Sequence, residues 1–299
     1  MLCMGNVVNA GAALRYFTQP EGVQGSTTPY GDNAAVSRMV QAGDARIYYE
    51  VYGDGQPLQP LLVLHGGGVG SPYELGRMLD QLRKQYRLIV VSTRGHGHSE
   101  IGHAPLTYEQ KAEDVLAVLR QECAEQGNTE PVPVLGFSDG AYSAYKLAAM
   151  YPDRVERIVA IGAGTLKAGY YSPEISVAEL EKVDGAYIAQ MRRLMPEPER
   201  LQEFLSSYMA FWSRMDIGRE VFGAIRCPVL LITGDEDDHA PVLSVLEAHQ
   251  MIPNSRLCVV PGAWHTAFLD NYEVLWPAIG QFLRESNPTG SKKLPQNNR

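Results

Sequence analysis

The sequence has few cysteines, and none of them belongs to a recognisable pair. Its four cysteines, Cys3, Cys123, Cys227 and Cys258, are far apart and form no C-x-x-C motif. This spacing argues against a zinc knuckle and against a redox-active dithiol. Cys227 opens one apolar run and Cys258 lies within another, where a thiol behaves as a small apolar side chain. We predict four free thiols and no bound metal.

The sequence also lacks a long apolar run. No stretch approaches the roughly 18 residues that a membrane-spanning helix needs. The first segment, MLCMGNVVNAGAALRYF, has no basic start and carries Asn6 and Asn9 where a secretory signal would be apolar. We therefore expect no membrane partner and a cytoplasmic location, with export only if this start is misplaced or a signal was removed.

Basic residues are fewer than acidic ones. The chain has 26 lysines and arginines against 34 aspartates and glutamates, a net charge of -8 and an isoelectric point near 5.4. Such a balance offers no positive surface for phosphate backbones or for anionic lipids. We expect a small molecule as the partner and no nucleic acid, and the sequence predicts no particular oligomeric state.

The chain does contain a regular alternation of strand and helix patterns. Short, nearly continuous apolar runs are typical of strands buried on both faces of a parallel sheet. After an alternating strand at 45–53, such runs lie at 61–64, 87–91, 132–137, 157–163, 228–234 and 256–262. Helical patterns follow these runs, as at 71–85, 106–121 and 270–286. The order predicts an α/β fold with a mostly parallel, doubly wound sheet of about eight strands.

The same pattern divides the chain into regions. Residues 1–43 are rich in Gly, Asn, Thr, Pro and Gln and predict a loosely ordered N-terminal arm, and residues 287–299 predict a disordered tail. The core is expected at 44–164 and 226–286. Between its two parts, residues 165–225 show helical patterns and no strand, which predicts a helical cap near the carboxyl ends of the strands.

A serine stands at one corner between a predicted strand and a predicted helix. The segment 136–140, GFSDG, matches the G-x-S-x-G pattern of a nucleophile elbow. The glycines permit a tight turn beside neighbouring backbone, and the start of the following helix favours developing negative charge. The pattern alone is weak evidence for a nucleophile because it also occurs by chance. Its placement between a predicted strand and a predicted helix makes that assignment more specific. Ser138 is the candidate nucleophile.

A serine hydroxyl needs a base, and the base needs an acid that orients it. In folds with this serine corner the chain order is Ser, acid, His. GDEDDHAP follows the predicted strand at 228–234, and GAWHT follows the strand at 256–262. His265 is therefore the candidate base. Of the four acidic residues in the first loop we choose Asp237 as its partner and expect the others to be solvated.

Glycines also follow the first buried strand, in the segment HGGGVGS at 65–71. They let the backbone approach a reacting carbonyl group and direct N–H groups at its oxyanion. Gly67 is our first choice for this oxyanion hole and Gly68 the second. The N–H of Asp139, directly after the nucleophile, is the expected second donor.

Apolar residues of the cap are candidates for an acyl pocket. Methionine and aromatic side chains recur there, namely Met191, Met195, Tyr208, Met209, Trp212 and Met215. Packing of the cap on the core explains the same pattern equally well. The candidate substrate-binding residues are Phe137, Tyr208, Trp212 and Trp264.

Together, the motifs LHGGGVGS, STRGHGHSE, GFSDG, GDEDDHAP and GAWH resemble the α/β-hydrolase fold superfamily across residues 44–286. The resemblance implies a structural role for RGHGHS at 94–99. Within the superfamily, GFSDGA and the cap length are similar to the valacyclovir hydrolase (biphenyl-hydrolase-like) group. In that group the acid after the nucleophile helps to bind an amino group, which implies a substrate-binding role for Asp139. Phe137 and Ala141 depart from the group, which has Trp and Gly there, and the helix dipole alone also explains Asp139.

These residues predict a serine hydrolase that acts on carboxylic esters or lactones of small molecules through an acyl-enzyme, without a cofactor. Two alternatives stay open. One is an aminopeptidase or amino-ester hydrolase of the same fold. The other is a receptor that keeps the fold to bind a small molecule without catalysis.

A metal-dependent hydrolase is a further alternative that the histidines raise. It would use His96, His98, Glu100 and the DDH of 237–239, although an H-x-H in a glycine-rich turn is usually structural. Three histidines are predicted to lie at the surface, namely His103, His239 and His249.

Overall fold

The computed structural model of the chain describes residues 13–53, 56, 58–126, 130–172 and 174–285, without the side chains of 123–126. The strands are β1 (Ser37–Ala42), β2 (Ala45–Tyr52), β3 (Pro60–Leu64), β4 (Arg87–Val91), β5 (Val132–Phe137), β6 (Val155–Ile161), β7 (Val229–Gly234) and β8 (Ser255–Val260). The helices are α1 (Gly76–Leu82), α2 (Tyr108–Gln126), α3 (Asp139–Met150), α4 (Val177–Leu194), α5 (Leu201–Trp212), α6 (Arg219–Phe222), α7 (Val242–Met251), α8 (Ala267–Asp270) and α9 (Tyr272–Arg284). Short 3-10 turns lie at Pro72–Leu75, Pro152–Arg154 and Pro198–Arg200.

These strands form one sheet in the order β1-β2-β4-β3-β5-β6-β7-β8. β2 runs antiparallel to both of its neighbours, and every other neighbouring pair is parallel. Residues of α2, α3 and α7 bury one face of the sheet, and residues of α1 and α9 bury the other. Two covered faces explain why the central strands are nearly continuous apolar runs. The predicted α/β class with a doubly wound, mostly parallel sheet is confirmed.

Individual strand ends depart slightly from the sequence pattern. β6 ends at Ile161, whereas the apolar run continues to Ala163. Gly162 has a φ of +65°, outside the strand region, so the chain turns away from the sheet there. The apolar run continues beyond the strand because the turn after β6 is itself buried.

The N-terminal region is packed on the core where it is described, which corrects the prediction of a loosely ordered arm at 1–43. β1 pairs with β2, Tyr30 is fully buried, and the Tyr30 hydroxyl donates to Asp80 at 2.9 Å. The prediction was wrong because polar composition does not report pairing with strands distant in sequence. Residues 1–12 and the predicted tail at 287–299 lie outside the described residues.

The cap helices α4, α5 and α6 lie between β6 and β7. Their own apolar cluster includes Tyr187, Ile188 and Leu205, all almost fully buried. The Tyr187 hydroxyl donates to the carbonyl of Val69 at 2.7 Å, which ties α4 to the glycine segment after β3. The cap is therefore bound to the loops at the carboxyl ends of the strands.

Two expectations from composition can be compared with the described residues. None of the helices in the described ranges is both long and apolar enough to cross a membrane. Cys227 and Cys258 are free thiols. Cys3 and the side chain of Cys123 lie outside the part of the chain that the structure describes.

Asp184 links the N-terminal segment to the cap. This buried residue has non-helical backbone angles inside α4 (φ -150°, ψ 75°). Its carboxylate accepts the Arg15 guanidinium at 2.9 Å, the Thr18 N–H at 2.8 Å and the Tyr187 N–H at 3.0 Å. It therefore caps the second half of α4 and holds residues 15–18 at the same time.

Asp184→Ala should lower the free energy of unfolding by about 1 to 3 kcal/mol, because it removes a helix cap and leaves buried donors unsatisfied. Trypsin should also cut after Arg15 faster than in wild type. Glu181→Ala, on the same helix, removes a half-exposed pair with Arg192 and should change neither quantity measurably. Equal tryptic rates in the two variants would contradict the proposed link.

Candidate active site

Ser138 occupies a strained corner between β5 and α3. Its φ of +50° and ψ of -118° are unusual for a residue with a side chain, and such strain is concentrated at functional sites. Its N–H donates to the carbonyl of Ile161 at 2.7 Å, which fixes the corner to β6. A Cβ atom at Gly140 would lie 2.4 Å from the carbonyl oxygen of Leu64. The second glycine of the motif is therefore required for α3 to approach β3.

Three side chains from separate loops meet at this corner. Nε2 of His265 lies 2.9 Å from the Ser138 hydroxyl oxygen. Nδ1 of His265 lies 3.0 Å from both carboxylate oxygens of Asp237. Ser138 follows β5, Asp237 follows β7 and His265 follows β8, so parallel strands deliver all three to one edge of the sheet.

Asp237 is held as a carboxylate. Burial alone would raise its pKa, but the hydrogen bond and charge of His265 and the N–H groups of Ala240 and His239 keep the pKa below its ordinary value. Those N–H groups donate to Oδ1 at 2.7 and 2.9 Å. An ionised, buried Asp237 fixes the proton of His265 on Nδ1 and leaves Nε2 as an acceptor for the serine proton.

The glycine segment after β3 begins at a neutral histidine. Burial lowers the pKa of His65 to about 4. Its Nδ1 contacts the Gly66 carbonyl at 2.6 Å, and its Nε2 accepts the Thr93 N–H at 3.1 Å. A Cβ atom at Gly67 would lie 2.6 Å from the Trp212 ring, so only glycine fits between the elbow and the cap. His65 and Gly67 together set the path of the predicted oxyanion segment.

A cavity of about 380 Å³ lies between core and cap and is lined by Ser138, His265, Gly67 and Gly68. Four residues of the predicted pocket also line it, namely Phe137, Tyr208, Met209 and Trp212.

The assignment of Trp264 to the pocket is wrong, and three methionines that were candidates for it serve in packing instead. The Trp264 side chain projects to solvent with 55% exposure and does not line the cavity. Met191 and Met195 belong to the interior of the cap, and Met215 packs on the main core. A stripe at helical spacing does not distinguish these packing roles from contact with a ligand.

The carboxylate of Asp139 is enclosed by protein groups, which contradicts its predicted role in binding a substrate's amino group. It is 1% exposed and accepts the Lys111 ammonium at 2.7 Å and the Tyr108 hydroxyl at 3.1 Å. From α5 it accepts the Trp212 indole N–H at 3.2 Å and the Tyr208 hydroxyl at 3.3 Å. A carboxylate already neutralised by a buried lysine has no charge to offer an incoming ammonium group. The helix dipole alone does not explain it either.

Lys111 is the buried ion-pair partner of Asp139, and it was not predicted from the sequence. Its side chain is 1% exposed and contacts both Asp139 and the Tyr208 hydroxyl. A signal was available, because Lys111 lies three residues after Tyr108 and four before Val115 on the apolar stripe of α2. A lysine on an apolar helix face needs a buried partner.

Other residues that line the cavity have no feature in the sequence from which this position could have been predicted. Phe17 and Thr18 come from the N-terminal segment, Tyr171 from the loop before α4, and Glu74 from the turn after the glycine segment. Each reaches the cavity through tertiary packing. Their local sequence contexts are ordinary.

The candidate ligands of the metal-dependent alternative do not come together in the described structure. His96 contacts Thr93, His98 contacts Asp32, and Glu100 pairs with Arg46. RGHGHS instead contributes Arg94, which is buried and paired with Asp114 and Asp44, as a structural turn would be.

Asp237, His239 and His265 do come together, with ligand atoms within 4.8 Å of one another. The His239 and His265 rings are stacked, with centroids 4.6 Å apart and an angle of 21°. Lone pairs in the planes of stacked rings do not converge on one ion, so this cluster carries no metal assignment. His239, predicted as a surface residue, is half exposed and also lines the cavity.

Comparison with known proteins shows what this chain is similar to in sequence and fold. A family model described as the alpha/beta hydrolase fold matches residues 59–204. A putative 2-succinyl-6-hydroxy-2,4-cyclohexadiene-1-carboxylate synthase of Bacillus subtilis is 25% identical, over 79% of this chain and 95% of its own length. A 2-hydroxy-6-oxononadienedioate/2-hydroxy-6-oxononatrienedioate hydrolase of Pseudomonas putida is 24% identical, over 81% and 92%.

The human serine hydrolase BPHL is also a relative, 22% identical over 79% of this chain and 82% of its own length. Its presence is consistent with the resemblance to the biphenyl-hydrolase-like group. Among solved structures, the enol-lactonase from Burkholderia xenovorans LB400 has a TM-score of 0.68 at 21% identity, covering 83% of this chain and all of that one. At this identity the likeness shows the shared fold.

Lys111→Met should lower the free energy of unfolding by about 3 to 5 kcal/mol, because it leaves the Asp139 carboxylate buried without a countercharge. Lys111→Met combined with Asp139→Asn should cost less than Lys111→Met alone, as both charges are removed. Lys167→Met breaks an exposed pair with Asp216 and should cost less than about 1 kcal/mol. Urea denaturation measures all three, and a Lys111→Met cost no larger than that of Lys167→Met would refute the argument.

Proposed function

We propose that this chain, which has the α/β-hydrolase fold and matches that family model over residues 59–204, is a serine hydrolase of carboxylic esters or lactones of small molecules. The observation that carries the proposal is the chain of contacts from Ser138 through His265 to Asp237. These contacts have the lengths that proton transfer from the serine to the histidine requires. The serine also opens on a cavity large enough for a small ester.

The reaction follows from this arrangement. Ser138 Oγ attacks the carbonyl carbon of the ester while its proton passes to Nε2 of His265. The Asp237 carboxylate stabilises the imidazolium that forms. Collapse of the tetrahedral intermediate breaks the bond to the alcohol, which leaves with the proton from His265. Water then attacks the acyl-enzyme, gives its proton to His265, and releases the acid as Ser138 is regenerated.

Backbone N–H groups supply the stabilisation of the oxyanion in this proposal. Asp139 is the first residue of α3, so its N–H has no acceptor within the helix. Gly67 lines the cavity beside Ser138 and is the second donor, with Gly68 as the alternative. Removal of one such donor typically costs on the order of 10² to 10³ in turnover.

The charge of the cavity limits the substrates. In the described part of the chain, no lysine or arginine lines it, and its walls are mainly apolar and aromatic. The P. putida relative is named for a dicarboxylate, and such a substrate would need positive groups to offset its loss of solvation. Uncharged esters and lactones fit this cavity better than dicarboxylates. The enclosed Asp139 is also not available as the amino-group site that the resemblance implied at that residue.

Ser138→Ala should abolish hydrolysis of p-nitrophenyl esters with short to medium acyl chains, lowering kcat by roughly 10³-fold or more, because the covalent step is lost. Steady-state kinetics measure the change. Ser207→Ala, at an exposed serine of the cap, is the matched control and should keep wild-type rates.

Hydrolysis by Ser138→Ala at the wild-type rate would contradict the serine mechanism. If neither protein hydrolyses any ester or lactone of the panel, the enzyme proposal fails. A receptor for a small molecule then becomes the better account of the same cavity.

A further inference from the structure

Glu74 places a carboxyl group on the wall of the catalytic cavity. It lies in the 3-10 turn Pro72–Leu75, directly after the glycine segment. It lines the same cavity as Ser138 and His265. Neither the triad nor the oxyanion hole uses this group. An acidic residue on the wall of the catalytic cavity therefore has no role in the mechanism so far.

Among the residues that the structure describes, the partners of Glu74 are backbone groups. Its Oε1 accepts the Gly66 N–H at 3.1 Å, and the Ser71 N–H also donates to the carboxyl group. Burial raises the pKa of Glu74 to about 8, and the hydrogen bonds from these two N–H groups, which lower the pKa, have the smaller effect. Within the described residues no lysine or arginine pairs with it, so no described cation offsets its charge when it ionises.

The titratable groups around Glu74 do not supply a positive charge either. Tyr187 of α4 is near enough that the Glu74 carboxyl adds to the effect of burial in raising the pKa of its phenol. The cavity itself contributes the titratable side chains of Tyr171, Tyr208, His239 and His265.

The nearby charged groups are already paired. Lys111 lies behind Tyr208 and is paired with Asp139. Of the described residues, His239 is the other histidine on this wall, and its Nδ1 lies 2.8 Å from the Asp238 carboxylate.

The remaining walls suit a positively charged apolar group. Phe17, Phe137, Tyr171, Tyr208 and Trp212 all line the cavity. Aromatic faces attract cations that have lost their water, and a carboxylate among them adds a full charge. The net charge of -8 on the whole chain favours the approach of cations as well.

We propose that Glu74 is the specificity-determining residue of the catalytic cavity and that its carboxylate selects esters that carry a positive charge on an apolar group. The proposal rests on the ester hydrolysis proposed above. With Glu74 protonated, its carboxyl group has no charge with which to favour a cationic acyl group over an uncharged one. With Glu74 ionised, its charge opposes the oxyanion of an uncharged ester, and a cationic acyl group neutralises that charge.

The test compares two p-nitrophenyl esters of equal shape, the 4-(trimethylammonio)butanoate and its uncharged isostere, the 5,5-dimethylhexanoate. For wild type, kcat/KM of the cationic ester divided by that of the isostere should rise on the order of tenfold between about pH 6 and pH 9.5, centred near pH 8. The ratio cancels every pH effect that the two esters share, since both would be cleaved by the same triad. Glu74→Gln should give a ratio that does not change with pH.

Glu220→Gln, at an exposed glutamate of α6, is the matched control and should keep the wild-type rise. A ratio for wild type that stays flat with pH, or a rise that persists in Glu74→Gln, would overturn the proposal while leaving ester hydrolysis intact. Loss of Ser138-dependent hydrolysis of both esters would instead mean that the proposed function has failed.

Binding of the tetraethylammonium ion gives a readout that needs no turnover. Calorimetric titration of wild type should show the dissociation constant falling on the order of tenfold between about pH 6 and pH 9.5. Glu74→Gln should show no such change. Equal binding of this cation by the two proteins at high pH would count against Glu74 even if no ester were hydrolysed.

Discussion

The buried carboxylate of Asp139 joins the nucleophile corner, the core and the cap. It begins α3 directly after Ser138, and its donors come from α2 and from α5. A carboxylate buried without these partners would cost several kcal/mol, so the elements that supply them are held in one arrangement. That arrangement fixes the backbone N–H of Asp139 and the Tyr208 and Trp212 walls of the cavity together. Catalytic geometry and substrate shape therefore depend on a single group.

The same ion pair determines the charge of the cavity. Because Lys111 and Asp139 neutralise each other behind Tyr208, neither charge reaches the substrate. Glu74 is left as the carboxyl group that faces the cavity without a cationic partner in the described chain. The candidate site thus combines a neutralised ion pair, Lys111 and Asp139, with an acid on the cavity wall, Glu74, that has no cationic partner among the described residues. Under the proposal, recognition of a charged substrate depends on Glu74, although the GFSDG motif points to Asp139.

The sheet and the three residues that meet at its edge could be predicted from the sequence because their signals are local. Apolar runs mark buried strands, and parallel strands deliver Ser138, Asp237 and His265 to one edge whatever the details of the helices. Trp264, β1 and the environment of Asp139 could not be predicted in this way. An exposed tryptophan, a polar strand and a paired carboxylate depend on which distant residues pack against them. Lys111 was within reach, since a lysine on an apolar helix face implies a buried partner, whereas Glu74 has no such local signal.

The measurement that tests this account most directly is the detection of the acyl-enzyme. Wild type is mixed with a p-nitrophenyl ester, quenched in acid and digested, and the mass of each peptide is measured. The account predicts one added acyl group, located on Ser138 and absent from Ser138→Ala. Rapid hydrolysis with the acyl group on another residue, or an unchanged adduct in Ser138→Ala, would contradict it.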